Sequence, residues 1–92
     1  MGIRGQYKNK RDANEPEIVA SLRAHGITVH PMDTPLDLLC ATPDGRNHLV
    51  EVKGPKGKLT DAQERFVAGW PGTWVILRTA EEADAWAREV ME

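Results

Sequence analysis

Three charged residues stand in two apolar segments of this sequence, at spacings that suit metal-dependent chemistry. Asp37 lies in the apolar run 36–41, and Glu51 and Lys53 lie in the apolar run 49–53. Because side chains in a strand alternate between two faces, Glu51 and Lys53 share one face of a predicted strand. Charged side chains in an apolar strand are costly unless they are paired or bound to a partner. Two carboxylates beside a lysine could hold a divalent cation.

The turn between the two predicted strands decides how the carboxylates meet. Residues 42–45 have the residue types of a type I turn followed by a left-handed glycine, Gly45. The resulting three-residue loop places Asp37 directly opposite Glu51, with the two Cβ atoms about 4.5–5.5 Å apart. A two-residue loop would instead pair Asp37 with Val50.

This carboxylate pair suits Mg²⁺, which prefers oxygen ligands in near-octahedral geometry. Asp37 and Glu51 would supply the carboxylates, and the backbone carbonyl of Val52 could be a third ligand. The metal would lower the pKa of a bound water and offset charge that develops on a phosphorus atom. Lys53 is placed to hold the attacking hydroxide and a phosphate oxygen together. The same residues could instead form a surface ion-pair ladder without catalytic function.

The composition is that of a single ordinary globular domain. The chain has 92 residues, of which 40% are hydrophobic and 28% are charged, and its net charge is −2. That charge argues against a protein that coats nucleic acid non-specifically. The single cysteine, Cys40, excludes an internal disulfide and is typical of a reducing compartment. We expect a cytoplasmic protein of a bacterial or phage-infected cell, without a membrane partner.

Hydrophobic periodicity and turn residues predict an α/β fold with a mixed sheet flanked by helices. Capping boxes at 60–63 and 79–82 mark two helix starts. The strand at 73–77 is apolar throughout, which predicts that both of its faces are covered. The three tryptophans, Trp70, Trp74 and Trp86, are predicted to be in the core. The predicted order is a helix from Pro16 to Gly26, strands at 27–32, 36–41 and 49–53, a second helix, the strand at 73–77, and a helix from Ala80 to Val90. The second helix is predicted to face inward with Ala62, Phe66, Val67 and Trp70.

Pro35-Leu36-Asp37, followed by Glu51-Val52-Lys53, resembles the signature of the PD-(D/E)xK nucleases. The flanking segments resemble the Holliday-junction-resolvase-like and VRR-NUC branches, which have an N-terminal helix that starts with a glutamate and ends at a glycine. The resemblance covers roughly residues 12–78. In the signature the proline directly precedes the aspartate, and here Leu36 intervenes.

The resemblance implies an αβββαβ restriction-endonuclease-like core with an extra C-terminal helix. It also implies that Glu15 joins the metal site and that Gln63, in the second helix, joins the catalytic residues. By its distance from Gly26, Glu15 matches the family position better than Glu17 does. Glu15 could equally be a carboxylate favoured by the helix dipole, and Gln63 could be only the second half of a capping box.

The expected activity is that of a phage-type endonuclease that cuts duplex, flap or junction-shaped DNA with Mg²⁺, for which Mn²⁺ would substitute. The alternative is an inactive nuclease-fold module that binds nucleic acid or a replication or repair partner. We expect a basic, mobile arm at 1–11 and a single domain at 12–92. A homodimer is expected, because cutting two strands requires two sites, and Trp86 could extend into the partner. The predicted DNA-binding residues are Arg4, Lys8, Lys10, Arg11, Lys56 and Lys58.

Overall fold

A computed structural model describes residues 11–92. The predicted DNA contacts Arg4, Lys8 and Lys10 lie outside the described residues. Within that range, no helix is both long enough and apolar enough to cross a membrane. The elements are α1 (Glu15–Ala24), β1 (Thr28–Pro31), β2 (Leu38–Ala41), β3 (Asn47–Val52), α2 (Asp61–Ala68), β4 (Thr73–Leu77) and α3 (Ala80–Met91), which confirms the predicted order.

The four strands form one mixed sheet in the order β1-β2-β3-β4. Strands β1, β2 and β3 pair antiparallel, and β4 pairs parallel to β3. A parallel neighbour requires a crossover connection, and α2 lies in that connection. The predicted α/β class with a mixed sheet is therefore confirmed.

The hairpin between β2 and β3 has the three-residue loop that the sequence predicts. The backbone N–H of Thr42 donates to the carbonyl of Arg46 at 2.9 Å, and Gly45 has a φ of 91°. Only glycine adopts this left-handed conformation without strain. The strand pairing runs from Ala41 with Asn47 to Leu38 with Val50. Continuing this register by one residue sets Asp37 opposite Glu51.

Helix α1 begins and ends at residues with a clear physical role. Pro16 lies in its first turn, where a missing N–H costs nothing, and Glu15 and Glu17 favour the positive end of the helix dipole. After the helix, Gly26 has a φ of 84°, which allows the chain to reverse into β1.

Helices α1 and α3 pack on one face of the sheet and form the core with it. His25, which caps the end of α1, contacts Asp84 of α3 through its Nε2 at 2.6 Å. Trp86 is partly buried against this core and meets the His48 ring edge-on. The buried cluster consists of Ile18, Leu22, Ile27, Val29, Leu38, Cys40, Val50, Val52, Leu77, Ala83 and Ala87.

The opposite face of the sheet is covered only in part, which corrects the predictions that both faces of β4 are covered and that Trp70 and Trp74 lie in the core. No residue of α2 is buried, and Leu77 is the only buried residue of β4. Trp70 and Trp74 are 40% and 37% exposed, so the prediction that they lie in the core is wrong. The reason is geometric. Helix α2 has eight residues, and within residues 11–92 β4 is an edge strand that pairs with β3 alone.

Candidate active site

Asp37 and Glu51 are interlocked across the β2–β3 hairpin. The backbone N–H of Asp37 donates to Oε1 of Glu51 at 3.1 Å, and the N–H of Val52 donates to Oδ2 of Asp37 at 2.9 Å. Each carboxylate is therefore fixed by the main chain of the opposite strand. Glu51 is 3% exposed. Among residues 11–92, the second oxygen of Asp37 has no hydrogen-bond donor.

Two side chains surround the other oxygen of Glu51. Nζ of Lys53 lies 3.2 Å from Oε2, and Nε2 of Gln63 donates to the same atom at 3.0 Å. Gln63 also closes the capping box of α2, because its Oε1 accepts from the N–H of Thr60 at 3.0 Å. The two interpretations of Gln63 are thus compatible: the cap fixes the amide so that its NH₂ group faces Glu51.

The charge on Glu51 is disfavoured despite these donors. Burial raises the pKa of Glu51, and the nearby charge of Asp37 raises it further; the hydrogen bonds from Gln63 and Lys53 oppose that shift. Two close carboxylates repel until a cation or a proton intervenes. This arrangement therefore favours the binding of a positive charge between Asp37 and Glu51.

The donor set of this pair fits a hard cation. In an extended strand the N–H and C=O of one residue point to the same side, so the Val52 carbonyl lies on the Asp37 side of β3. Two carboxylates and a carbonyl, completed by water and phosphate oxygens, form a typical Mg²⁺ environment. Within residues 11–92, no three Asp, Glu, His or Cys side chains form a metal-binding group.

Glu15, which the resemblance assigns to the metal site, forms an ion pair with Arg11. Its Oε2 accepts from Nε of Arg11 at 2.9 Å, and Nη2 of Arg11 donates to the carbonyls of Met32 and Asp37, each at 3.2 Å. Arg11 therefore ties the start of α1 to the chain that precedes β2. The sequence predicts Arg11 as a DNA contact, whereas the structure engages its guanidinium with partners in the same chain.

Two positioning residues escaped the sequence analysis. Nδ2 of Asn14 donates to the carbonyl of Lys53 at 3.2 Å and to that of Arg78 at 2.7 Å. Nη1 of Arg78 donates to the carbonyls of Gly54 and Gly57 at 2.6 Å and 2.9 Å. These contacts fix the end of β3 and the loop after it. Asn14 resembles an ordinary N-cap in sequence, although its side chain makes no capping bond.

The loop after β3 folds against Lys53 and presents two further lysines. A Cβ added at Gly57 would lie 3.3 Å from the Cβ and Cδ atoms of Lys53, so the loop packs closely against this side chain. Lys56 and Lys58, on either side of Gly57, are exposed. In the described part of the chain neither forms a salt bridge. Their charges are therefore available to an anionic ligand.

No family model, curated protein or solved structure matches this chain. The geometry of Asp37, Glu51, Lys53 and Gln63 is therefore the basis for a functional assignment.

Proposed function

We propose that this protein is a Mg²⁺-dependent deoxyribonuclease of the PD-(D/E)xK superfamily, with Mn²⁺ able to substitute. The observation that carries the proposal is the interlocked pair of Asp37 and Glu51, in which one Asp37 oxygen lacks a donor within residues 11–92. The sheet order, with an antiparallel hairpin followed by a helix and a parallel strand, is compatible with a restriction-endonuclease-like core.

Each site residue has a distinct role in this proposal. Asp37, Glu51 and the carbonyl of Val52 would hold the cation, which supplies an activated water and offsets phosphate charge. Lys53, 3.2 Å from Glu51, supplies positive charge where a phosphate oxygen would bind. Gln63 holds the Glu51 carboxylate in one orientation through its hydrogen bond.

The test is cleavage of labelled duplex, flap, four-way junction and RNA substrates, with Mg²⁺, Mn²⁺ or a chelator. We expect metal-dependent cutting of DNA that falls about 10²-fold or more in Asp37→Asn and Glu51→Gln, because both changes remove a charge that binds the cation. Lys53→Ala should slow turnover far more than it weakens DNA binding. Glu89→Gln is the matched control, since it makes the same change at an exposed position of α3.

Calorimetric titration with Mg²⁺ distinguishes a metal-dependent nuclease from a protein that only binds DNA. The wild type should bind the metal, and Asp37→Asn should bind it weakly or not at all. Cutting by Glu51→Gln at the wild-type rate would contradict the proposed mechanism.

A second candidate is a nuclease-fold module that binds DNA without cutting it. The observation that favours it is that Lys53 and Gln63 both contact Oε2 of Glu51. In this candidate the two contacts neutralise a buried acid and have no catalytic role. This candidate predicts DNA binding without a calorimetric signal for Mg²⁺ and without cleavage products.

A further inference from the structure

The partly covered face of the sheet contains a groove of about 400 Å³ beneath α2. Leu39 of β2 and Leu49 of β3 line it from the sheet, and Phe66 and Trp70 line it from α2 and the chain that follows. Grooves of this size with an apolar and aromatic lining are typical of ligand sites. We call it the aromatic groove.

The aromatic groove adjoins a second cavity that contains one residue of the candidate active site. Pro35 and Phe66 line the groove, and the same two residues line the adjoining cavity, which also contains Gln63. Gln63 is hydrogen-bonded to Glu51. A ligand that occupies the groove can therefore extend past Phe66 to Gln63, the hydrogen-bond partner of Glu51.

The aromatic wall of this groove is closely packed. The rings of Phe66 and Trp70 are stacked, with centroids 5.2 Å apart and planes inclined by 26°. Gly72 lies so close that a Cβ there would be 2.8 Å from Nε1 of Trp70. Trp70 is nevertheless 40% exposed. An accessible indole is well suited to stacking with a planar ligand.

The distribution of charge divides this face into two parts. Among residues 11–92, no Asp, Glu, Lys or Arg lines the aromatic groove, and Asn47, His48 and Thr73 contribute its polar side chains. Positive charge lies beyond the carboxylates, at Lys53 and at the exposed Lys56 and Lys58. A nucleotide has the complementary division, with an uncharged planar base and an anionic phosphate.

We propose that the aromatic groove binds an unpaired nucleobase stacked on Trp70, next to the phosphate that the Asp37–Glu51 site acts on. This inference rests on the proposed function and names its substrate class: DNA with a single-stranded portion, such as a flap. A base within a duplex is stacked on both sides, so it cannot enter the groove without leaving the helix.

The test is fluorescence anisotropy in chelator, with a short labelled single strand and a blunt duplex of the same length. We expect the wild type to prefer the single strand. Trp70→Ala should weaken single-strand binding about 5- to 100-fold and leave duplex binding unchanged. Trp70→Phe should retain most of the affinity, and Trp70→Leu, which is apolar but has no ring, should not. The matched control is Trp74→Ala, on the same face of the sheet and similarly exposed but not part of the groove.

Three results would overturn the inference. The first is equal affinity of Trp70→Ala and wild type for the single strand. The second is an equal loss in Trp74→Ala. The third is a wild-type dimer in light scattering that Trp70→Ala converts to monomer, because the groove would then be covered by a second copy.

Cleavage assays on the same variants distinguish the failure of this inference from the failure of the proposed function. Metal-dependent cutting without a Trp70 effect refutes the groove alone, and Trp70-dependent binding without cutting refutes the nuclease alone.

Discussion

Glu51 receives three donors and still has a raised pKa, which shows that burial and the Asp37 charge outweigh those donors. The sheet enforces this conflict. Because the N–H groups of Asp37 and Val52 each hold the opposite carboxylate, the two acids cannot move apart without breaking these hydrogen bonds from main chain to side chain. Such preorganised repulsion is a stability cost that cation binding would remove.

This conflict predicts a particular pH dependence of stability. A raised folded-state pKa means that the folded protein binds the Glu51 proton more tightly than the unfolded chain does. The contribution of Glu51 to the free energy of unfolding is therefore greatest at low pH. It falls as the pH rises above about 4.5, the ordinary value, until the folded-state pKa is passed.

The measurement is urea unfolding of wild type and Glu51→Gln in chelator across this pH range. The free energy of unfolding of the wild type minus that of Glu51→Gln should decrease as the pH rises. The wild-type value minus that of Glu89→Gln should show no such trend. The two values are subtracted because other groups titrate as well. Burial, followed by the charge of Arg46, lowers the pKa of His48. The contribution of His48 to the free energy of unfolding therefore rises with pH, opposite to that of Glu51. A difference that is constant with pH would contradict the assignment of the shift to Glu51.

Helix α2 shows what a single sequence can and cannot predict. Its start was predictable because a capping box is a local pattern, and both of its hydrogen bonds are present. The second box, at 79–82, is half formed: Thr79 accepts from the N–H of Glu82, but the carboxylate of Glu82 accepts from the N–H of Arg78. The burial of α2 was not predictable, because its apolar residues indicate a face but not what lies against it.

The same distinction applies to the candidate site. The opposition of Asp37 and Glu51 follows from turn chemistry and strand period, both of which are local. The pairing of Glu15 with Arg11 depends on where the chain before α1 lies, which no spacing encodes. The role of Asn14 likewise depends on the ends of β3 and β4 coming together.

Because α2 has no buried residue, its stability should depend strongly on its cap. Thr60→Ala removes the side chain that accepts from the N–H of Gln63 at 3.1 Å, which costs about 1 kcal/mol. We expect amide hydrogen exchange by local opening of α2 to accelerate about fivefold. Thr79→Ala is the control, because it removes the cap of α3, which buries Ala83 and Ala87, and should leave local opening of α2 unchanged. Unchanged exchange in α2 would show that the helix is held by other contacts.

At the level of the whole molecule, the two faces of the sheet differ in cover and in charge. One face carries α1, α3 and the core, and the other carries the groove, the carboxylates and the loop after β3 that contains Lys56 and Lys58.

The homodimer stays a prediction. Trp86 packs against the core, so it no longer favours α3 as the contact helix. Exposed tryptophans occur on the groove face instead, at Trp70 and Trp74.

The basic N-terminal segment provides a test of how the chain as a whole binds DNA. Arg11 is engaged with Glu15, so phosphate contacts from this segment would come from Arg4, Lys8 and Lys10. Each phosphate contact contributes about 0.9 to the slope of log affinity against log salt concentration. Deleting residues 2–10 should therefore reduce that slope by up to about 2.7, the value for three contacts.

The slope is measured from binding titrations of a labelled duplex over a series of salt concentrations in chelator. Replacing Arg4, Lys8 and Lys10 together by glutamine keeps the chain length and should reproduce the effect of the deletion, since counterion release depends on charge. Arg88→Gln is the control, because Arg88 pairs with Asp84 on α3, away from the carboxylate face. A slope that is unchanged by the deletion would mean that the segment does not contact the DNA backbone. The lysines of the loop after β3 would then account for the electrostatic part of binding.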